Sequence, residues 1–195
     1  MTTRRALIGA TPALLLPGWV GAATLDDAVI ALRSGAVAVL LRHAQTDPGI
    51  GDPAGFRPGV CRTQRNLSAE GRAQARTIGQ WFASRGLRPA AVRSSAWCRC
   101  LDTATLAFGE VQPWPALDSF FGDASTAAAQ TAELRSALAR LPRGAFEVWV
   151  THMVNITALT GEGVGMGEAG LVEAAVTPTG SADGVRTLAR LNFEL

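Results

Sequence analysis

The sequence predicts an α/β fold: a three-layer α/β/α sandwich around a mostly parallel central sheet. Three observations carry that reading. Ala36–Leu41 is a short, continuous apolar, partly β-branched run, the pattern of a strand buried on both faces, and Phe146–Thr151 reads as another strong strand. Capped, helix-periodic segments alternate with such runs along the chain, as βα units require. The chain has 195 residues and is 48% hydrophobic, enough to fill the core of one domain.

The elements follow in order. Met1–Arg5 carries two arginines, Ala6–Val20 is apolar with Pro12 and Pro17 inside it, and Gly21-Ala22-Ala23 supplies small residues. That three-part pattern predicts a secretory signal over 1–23, with a mature domain over 24–195 beginning near Thr24. Thr3-Arg4-Arg5 also resembles a twin-arginine signal. The apolar run is shorter than the roughly 20 residues that span a bilayer, and two prolines break it. A periplasmic or secreted bacterial protein follows, with no stable membrane association once the signal is removed.

Leu25–Ser34 reads as a short helix stopped by Gly35, and Ala36–Leu41 as the first strand. Thr46–Arg65 is rich in Gly and Pro without periodicity and reads as a long loop; such loops are usually functional. Ser68 caps a helix running to about Arg85, with Ala75, Ile78, Trp81 and Phe82 as its buried stripe. Ala91–Ser95 fits a second strand, Trp97–Phe108 a helix, and Val111–Phe121 a loop or short edge strand. Ser125–Leu141 is an alanine-rich helix stopped by Pro142 and Gly144. Phe146–Thr151 is the third strong strand and Val154–Leu159 a short helix. Leu171–Val176 and Val185–Phe193 read as two final strands joined by a Gly/Ser/Asp turn. Trp81, Trp97 and Trp149 read as core.

Charge narrows the partners. Eighteen basic residues face 16 acidic ones, and Arg4 and Arg5 account for the whole excess. A neutral body excludes a general nucleic-acid binder or a polybasic membrane binder. The three cysteines, Cys61, Cys98 and Cys100, have the wrong spacing for a zinc site. Cys98 and Cys100 point to nearly opposite sides of a helix, so at most one easily reaches Cys61. A Cys61–Cys98 bridge, a Cys61–Cys100 bridge and three buried thiols stay open.

The chain has two histidines, and each directly follows an apolar strand: Val39-Leu40-Leu41-Arg42-His43 and Val148-Trp149-Val150-Thr151-His152. In open parallel sheets ligands gather at the carboxyl ends of strands, so both imidazoles fall on the functional edge. Ser94-Ser95-Ala96-Trp97-Cys98-Arg99 follows another strand and brings Arg99 to that edge. Two guanidiniums can cradle a phosphate dianion with forked hydrogen bonds. A neutral imidazole can attack phosphorus, and a second can steady the charge on the transferring group. This set suffices for phosphoryl transfer with no metal and no cofactor. No Walker A loop, His-Glu-x-x-His helix or Gly-x-Ser-x-Gly elbow competes.

Four segments, in order, then resemble the histidine phosphatase superfamily, which includes the cofactor-dependent phosphoglycerate mutases. Leu41-Arg42-His43-Ala44 resembles its Arg-His-Gly signature. Asn66-Leu67-Ser68-Ala69-Glu70-Gly71-Arg72-Ala73-Gln74-Ala75 resembles its Leu-Thr-x-x-Gly-x-x-Gln-Ala helix start. Ser94-Ser95-Ala96-Trp97-Cys98-Arg99-Cys100-Leu101-Asp102-Thr103-Ala104 resembles its Ser-x-x-x-Arg-x-x-x-Thr-Ala element, and Val150-Thr151-His152 its second-histidine strand. The resemblance implies a phosphoglycerate mutase-like fold and an exported phosphatase that hydrolyses phosphate monoesters or phosphoramidates. His43 would be the phospho-accepting nucleophile, Arg42 and Arg99 would hold the phosphoryl oxygens, and His152 would complete the pocket. A small phosphorylated substrate or inorganic phosphate would be the partner.

Two positions depart from the family pattern. Ala44 replaces the glycine after the nucleophile, and Met153 stands where some relatives carry an acidic proton donor. Asp118 is the nearest candidate donor and Glu168 the second. A weak donor would favour substrates with good leaving groups. The alternative is a catalytically weak or inactive phosphoanion-binding member of the same fold. A mutase is weaker still, since no second phosphate site is evident. Asp102, one turn from Arg99, offers that arginine a salt-bridge partner. Arg65 and Asn66, at the loop exit, read as solvated residues, with lining of the pocket as the alternative. Specificity would reside in Thr46–Arg65 and Val111–Ser125.

Overall fold

In the computed structural model, which describes residues 24–175 and 184–194, every strand belongs to one six-stranded sheet. The strands are β1 (Val37–Arg42), β2 (Ala91–Ser94), β3 (Gln112–Pro113), β4 (Phe146–Thr151), β5 (Ala169–Ala175) and β6 (Gly184–Leu191). The helices are α1 (Leu25–Ser34), α2 (Ala69–Ser84), α3 (Cys98–Phe108), α4 (Ala127–Ala139) and α5 (Met153–Thr160). The order across the sheet is β3-β2-β4-β1-β5-β6. β3, β2, β4 and β1 run parallel, while β5 and β6 add an antiparallel edge. The predicted signal over 1–23 and the predicted turn within 176–183 lie outside the described residues.

The strand pattern explains the layers. Alternate residues of β1 point to opposite faces. Val37, Val39 and Leu41 join Ile78, Trp81 and Phe82 of α2 in one core cluster. Ala38 and Leu40 join Leu134 and Leu138 of α4 and Ile156 of α5 in the other. Five consecutive β1 residues, Val37–Leu41, are therefore buried, and the expected double-sided burial is what is found. The expected α2 stripe is also buried: Ala75, Ile78, Trp81 and Phe82. Large side chains of this kind each contribute about 1.5–3 kcal/mol through burial.

Ser68 caps α2 as expected, its hydroxyl accepting from the Gly71 amide. Two motif residues then brace the segment after β1. Gly71 lies so close to the Gln45 carbonyl that a Cβ there would collide with it. The Gln74 side chain accepts from the Gln45 amide at 2.9 Å and donates to the Met166 carbonyl at 3.0 Å. Thr103 does the same from α3. It donates to the Arg99 carbonyl at 2.7 Å and accepts the Ala44 amide at 3.0 Å. Ala44 has an ordinary negative φ, so an alanine is tolerated at that position.

Candidate active site

The carboxyl ends of β1, β2 and β4 open into one cavity of about 770 Å³. Arg42, His43, Arg99 and His152 all line it, so the convergence expected from three strand ends is present. The two imidazole rings are 5.6 Å apart between centroids, in an edge-to-face arrangement. Both histidines and Arg99 are buried. Parallel pairing places them: Arg42 lies opposite Thr151, and the His43 amide donates to the Thr151 carbonyl at 3.0 Å.

Hydrogen bonds define the state of each ring. Nδ1 of His43 lies 2.9 Å from the Ala44 carbonyl, which can only accept. Nδ1 therefore carries the hydrogen, and the Nε2 lone pair is left free. Burial pushes His43 down to about 3 from its ordinary 6.5; its bond to Ala44 opposes this, and Arg99 and Arg42 deepen it. The ring is neutral near pH 7, the form that can act as a nucleophile. His152 has the opposite tautomer. Its Nδ1 faces an Arg99 nitrogen at 3.4 Å, which can only donate, so Nε2 carries the hydrogen and donates to the Ser95 hydroxyl at 2.9 Å. Complete burial and then Arg99 and His43 hold His152 well below its usual range. Cys100 packs beside it, with a thiol that burial pushes up to about 12.

The two arginines are anchored but incompletely paired. Arg42 donates to the Val164 carbonyl at 3.0 Å. Arg99 donates to Asp52 at 2.7 Å. The Nε of each is buried without a hydrogen-bond partner among the described residues. An unpaired buried donor costs on the order of 1–3 kcal/mol. An oxyanion between them would recover that cost.

Several expectations need correction. Asp102 pairs with Arg72 at 3.0 Å, not with Arg99. Arg99 takes Asp52 because the 49–52 segment folds back over the strand ends. Asp52 is nearly buried and holds three groups at once: Arg99, the Arg65 amide at 3.0 Å and the Trp97 indole N–H at 3.0 Å. Burial pushes its carboxyl up, but Arg99 and the other donors outweigh this and hold it below the usual range. Trp97 is partly buried: it packs against the core and also lines the cavity. Arg65 also lines the cavity, with its guanidinium on the Gly51 carbonyl at 2.9 Å and on the Thr46 hydroxyl.

Neither expected donor is brought into the cavity. Asp118 does not line it; its carboxylate accepts the Ala96 amide at 2.7 Å. Burial raises its carboxyl above the ordinary value. Glu168 folds onto the Gly165 amide at 2.8 Å and does not line the cavity either. The carboxylates that do line it, among the described residues, are Asp52 and Asp123. No sequence motif marked Asp52, because its partners are 13 to 47 residues away in the chain.

The family is decided by the match of residues 38–147, more than half of the chain, to the model for the histidine phosphatase superfamily (branch 1). The chain belongs to the histidine phosphatase superfamily. Membership supports phosphatase activity. Solved structures share the fold at low identity. A phosphoserine phosphatase mutant from Entamoeba histolytica, in complex with phosphoserine, is 14% identical, with 81% of this chain and 98% of that one covered and a TM-score of 0.55. The protein histidine phosphatase SixA complexed with tungstate is 15% identical, with 80% and 97% covered and a TM-score of 0.53. A mycobacterial glucosyl-3-phosphoglycerate phosphatase is 19% identical, with 80% and 96% covered and a TM-score of 0.52. No curated protein matches the chain.

Proposed function

We propose that this member of the superfamily is an exported phosphatase acting on phosphate monoesters or phosphoramidates through a phosphohistidine at His43. The observation that carries the reading is the neutral His43 ring, with its Nε2 lone pair free, among Arg42, Arg99 and His152 in one cavity. The phosphoryl group sits between the two guanidiniums, which take up charge on its oxygens. His43 Nε2 attacks phosphorus as the bond to the leaving oxygen breaks. Water then attacks the phosphohistidine, the N–P bond breaks, and inorganic phosphate leaves. The guanidiniums provide the charge stabilisation, so the reading requires no metal ion.

Proton supply to the leaving oxygen is the weak step. Asp52 is held ionised by Arg99 and makes a poor acid. Leaving groups of low basicity are therefore favoured. Export rests on the signal pattern of 1–23 and on the Cys61–Cys98 disulfide, since such bonds persist in oxidising compartments. The direct test of the activity is phosphate release from p-nitrophenyl phosphate by the mature protein. Turnover is expected, with loss of at least a thousandfold in His43→Ala. No release across a broad panel of phosphate esters, with inorganic phosphate still bound, would establish the phosphoanion-binding alternative instead.

A further inference from the structure

Among the described residues five large apolar side chains are exposed: Leu25, Ile30, Ile50, Phe56 and Phe121. Three of them, Ile50, Phe56 and Phe121, line the phosphate cavity. Ile50 is 90% exposed and Phe121 61% exposed. Exposed apolar groups scattered singly mean little, but grouped at the mouth of one cavity they mark a binding surface. Trp97, Met153 and Met166 continue the same wall inward. The cavity is about 770 Å³, a size suited to a ligand much larger than phosphate itself.

The wall is built in advance. Phe56 packs on Trp97 with ring centroids 6.0 Å apart. Trp97 is held by Asp52, and the loop that carries Phe56 is tied to the start of α3 by the Cys61–Cys98 bond. Charge at the mouth points the same way. Arg65 is already engaged by the Gly51 carbonyl and the Thr46 hydroxyl, and Asp123 adds a carboxylate to the lining. A second phosphate would meet the Asp123 carboxylate beside that apolar mouth. An apolar group would find aromatic and thioether surface.

We infer that the substrate is a phosphate monoester with one phosphate and a bulky apolar remainder, at least the size of a bicyclic aromatic ring. That remainder lies against Ile50, Phe56, Trp97 and Phe121 of the lining. The inference rests on the proposed reading of the Arg42, His43, Arg99 and His152 cluster as a phosphoryl site.

Phosphonates test it without turnover, because their C–P bond gives the nucleophile no leaving oxygen. Calorimetric titration of the mature protein compares methylphosphonate with 2-naphthylmethylphosphonate. The naphthyl compound is expected to bind at least tenfold more tightly. That ratio should collapse below threefold in the double variant Ile50→Ser/Phe121→Ser. It should persist in Ile30→Ser, an exposed position on α1 outside the cavity. Equal affinities within twofold in the unaltered protein would overturn the inference, as would a ratio that survives the double variant. Binding with the expected ratio but no hydrolysis of any ester would overturn the phosphatase reading alone; no binding of either phosphonate would overturn both.

Discussion

Ser95 shows what single residues contribute behind the reacting groups. Its hydroxyl accepts from His152 Nε2 at 2.9 Å and also from the Trp97 amide at 3.2 Å. Ser95 thereby fixes His152 in the tautomer that turns Nδ1 toward Arg99. Ser95→Ala is expected to lower kcat roughly 10- to 100-fold with a much smaller change in KM, and Ser95→Thr to restore most of it. An equal loss in both variants, accompanied by a lower Tm, would mean that Ser95 serves packing only. At this scale the sequence was partly legible. His43, His152, Arg42 and Arg99 stood out because each follows a strand end at a set spacing. Asp52 and Trp97 did not, and Arg65 did so only as an alternative, because their roles depend on how an irregular loop folds back. Asp118, singled out as a candidate donor, is outside the cavity lining, with its carboxylate on the Ala96 amide.

At the scale of elements, boundaries were readable wherever a cap or a β-branched run marks them. Leu25–Ser34 and Phe146–Thr151 agree to the residue, and Ser68 caps α2 as its side-chain chemistry requires. The loop from 46 to 65 was legible only as a loop. Its conformation is set by tertiary contacts: the Asp52 carboxylate, and the disulfide between Cys61 and Cys98, whose Cα atoms are 5.6 Å apart. Spacing left two pairings open; α3 begins at Cys98, which faces Cys61, and turns Cys100 inward as a buried free thiol. The bond closes a loop of 37 residues, worth roughly 3–4 kcal/mol by the chain-entropy relation. Protein recovered from the periplasm is expected to begin near Thr24 and to yield a linked Cys61–Cys98 peptide on mapping. Recovery of the intact chain from the cytoplasm with all three thiols reduced would overturn the export proposal.

For the whole molecule, the sheet order makes the site possible. β4 lies between β1 and β2, so strand ends separated by more than a hundred residues in the case of His43 and His152 meet at one edge. The cost is two neutral histidines buried among arginines. For His43 the folded value falls to about 3 from 6.5, so the unfolded chain binds the extra proton between those limits. Its contribution to stability is full above about pH 6.5 and is lost as pH falls toward 3, by up to about 1.4 kcal/mol per pH unit. His152 is shifted in the same direction and adds to the trend. Tm is expected to drop between pH 6.5 and pH 4, and less steeply with inorganic phosphate bound, because an anion beside the rings favours their protonated form. A Tm unchanged across that range would contradict the neutral-ring assignment.

The most direct measurement is acid-labile, base-stable phosphate trapped on the protein during turnover. Rapid quenching of the mature enzyme with a ³²P-labelled aryl phosphate should leave label on the peptide containing His43, and none in His43→Ala. Steady hydrolysis with no label at His43 at any quench time, or label on another residue, would contradict the account.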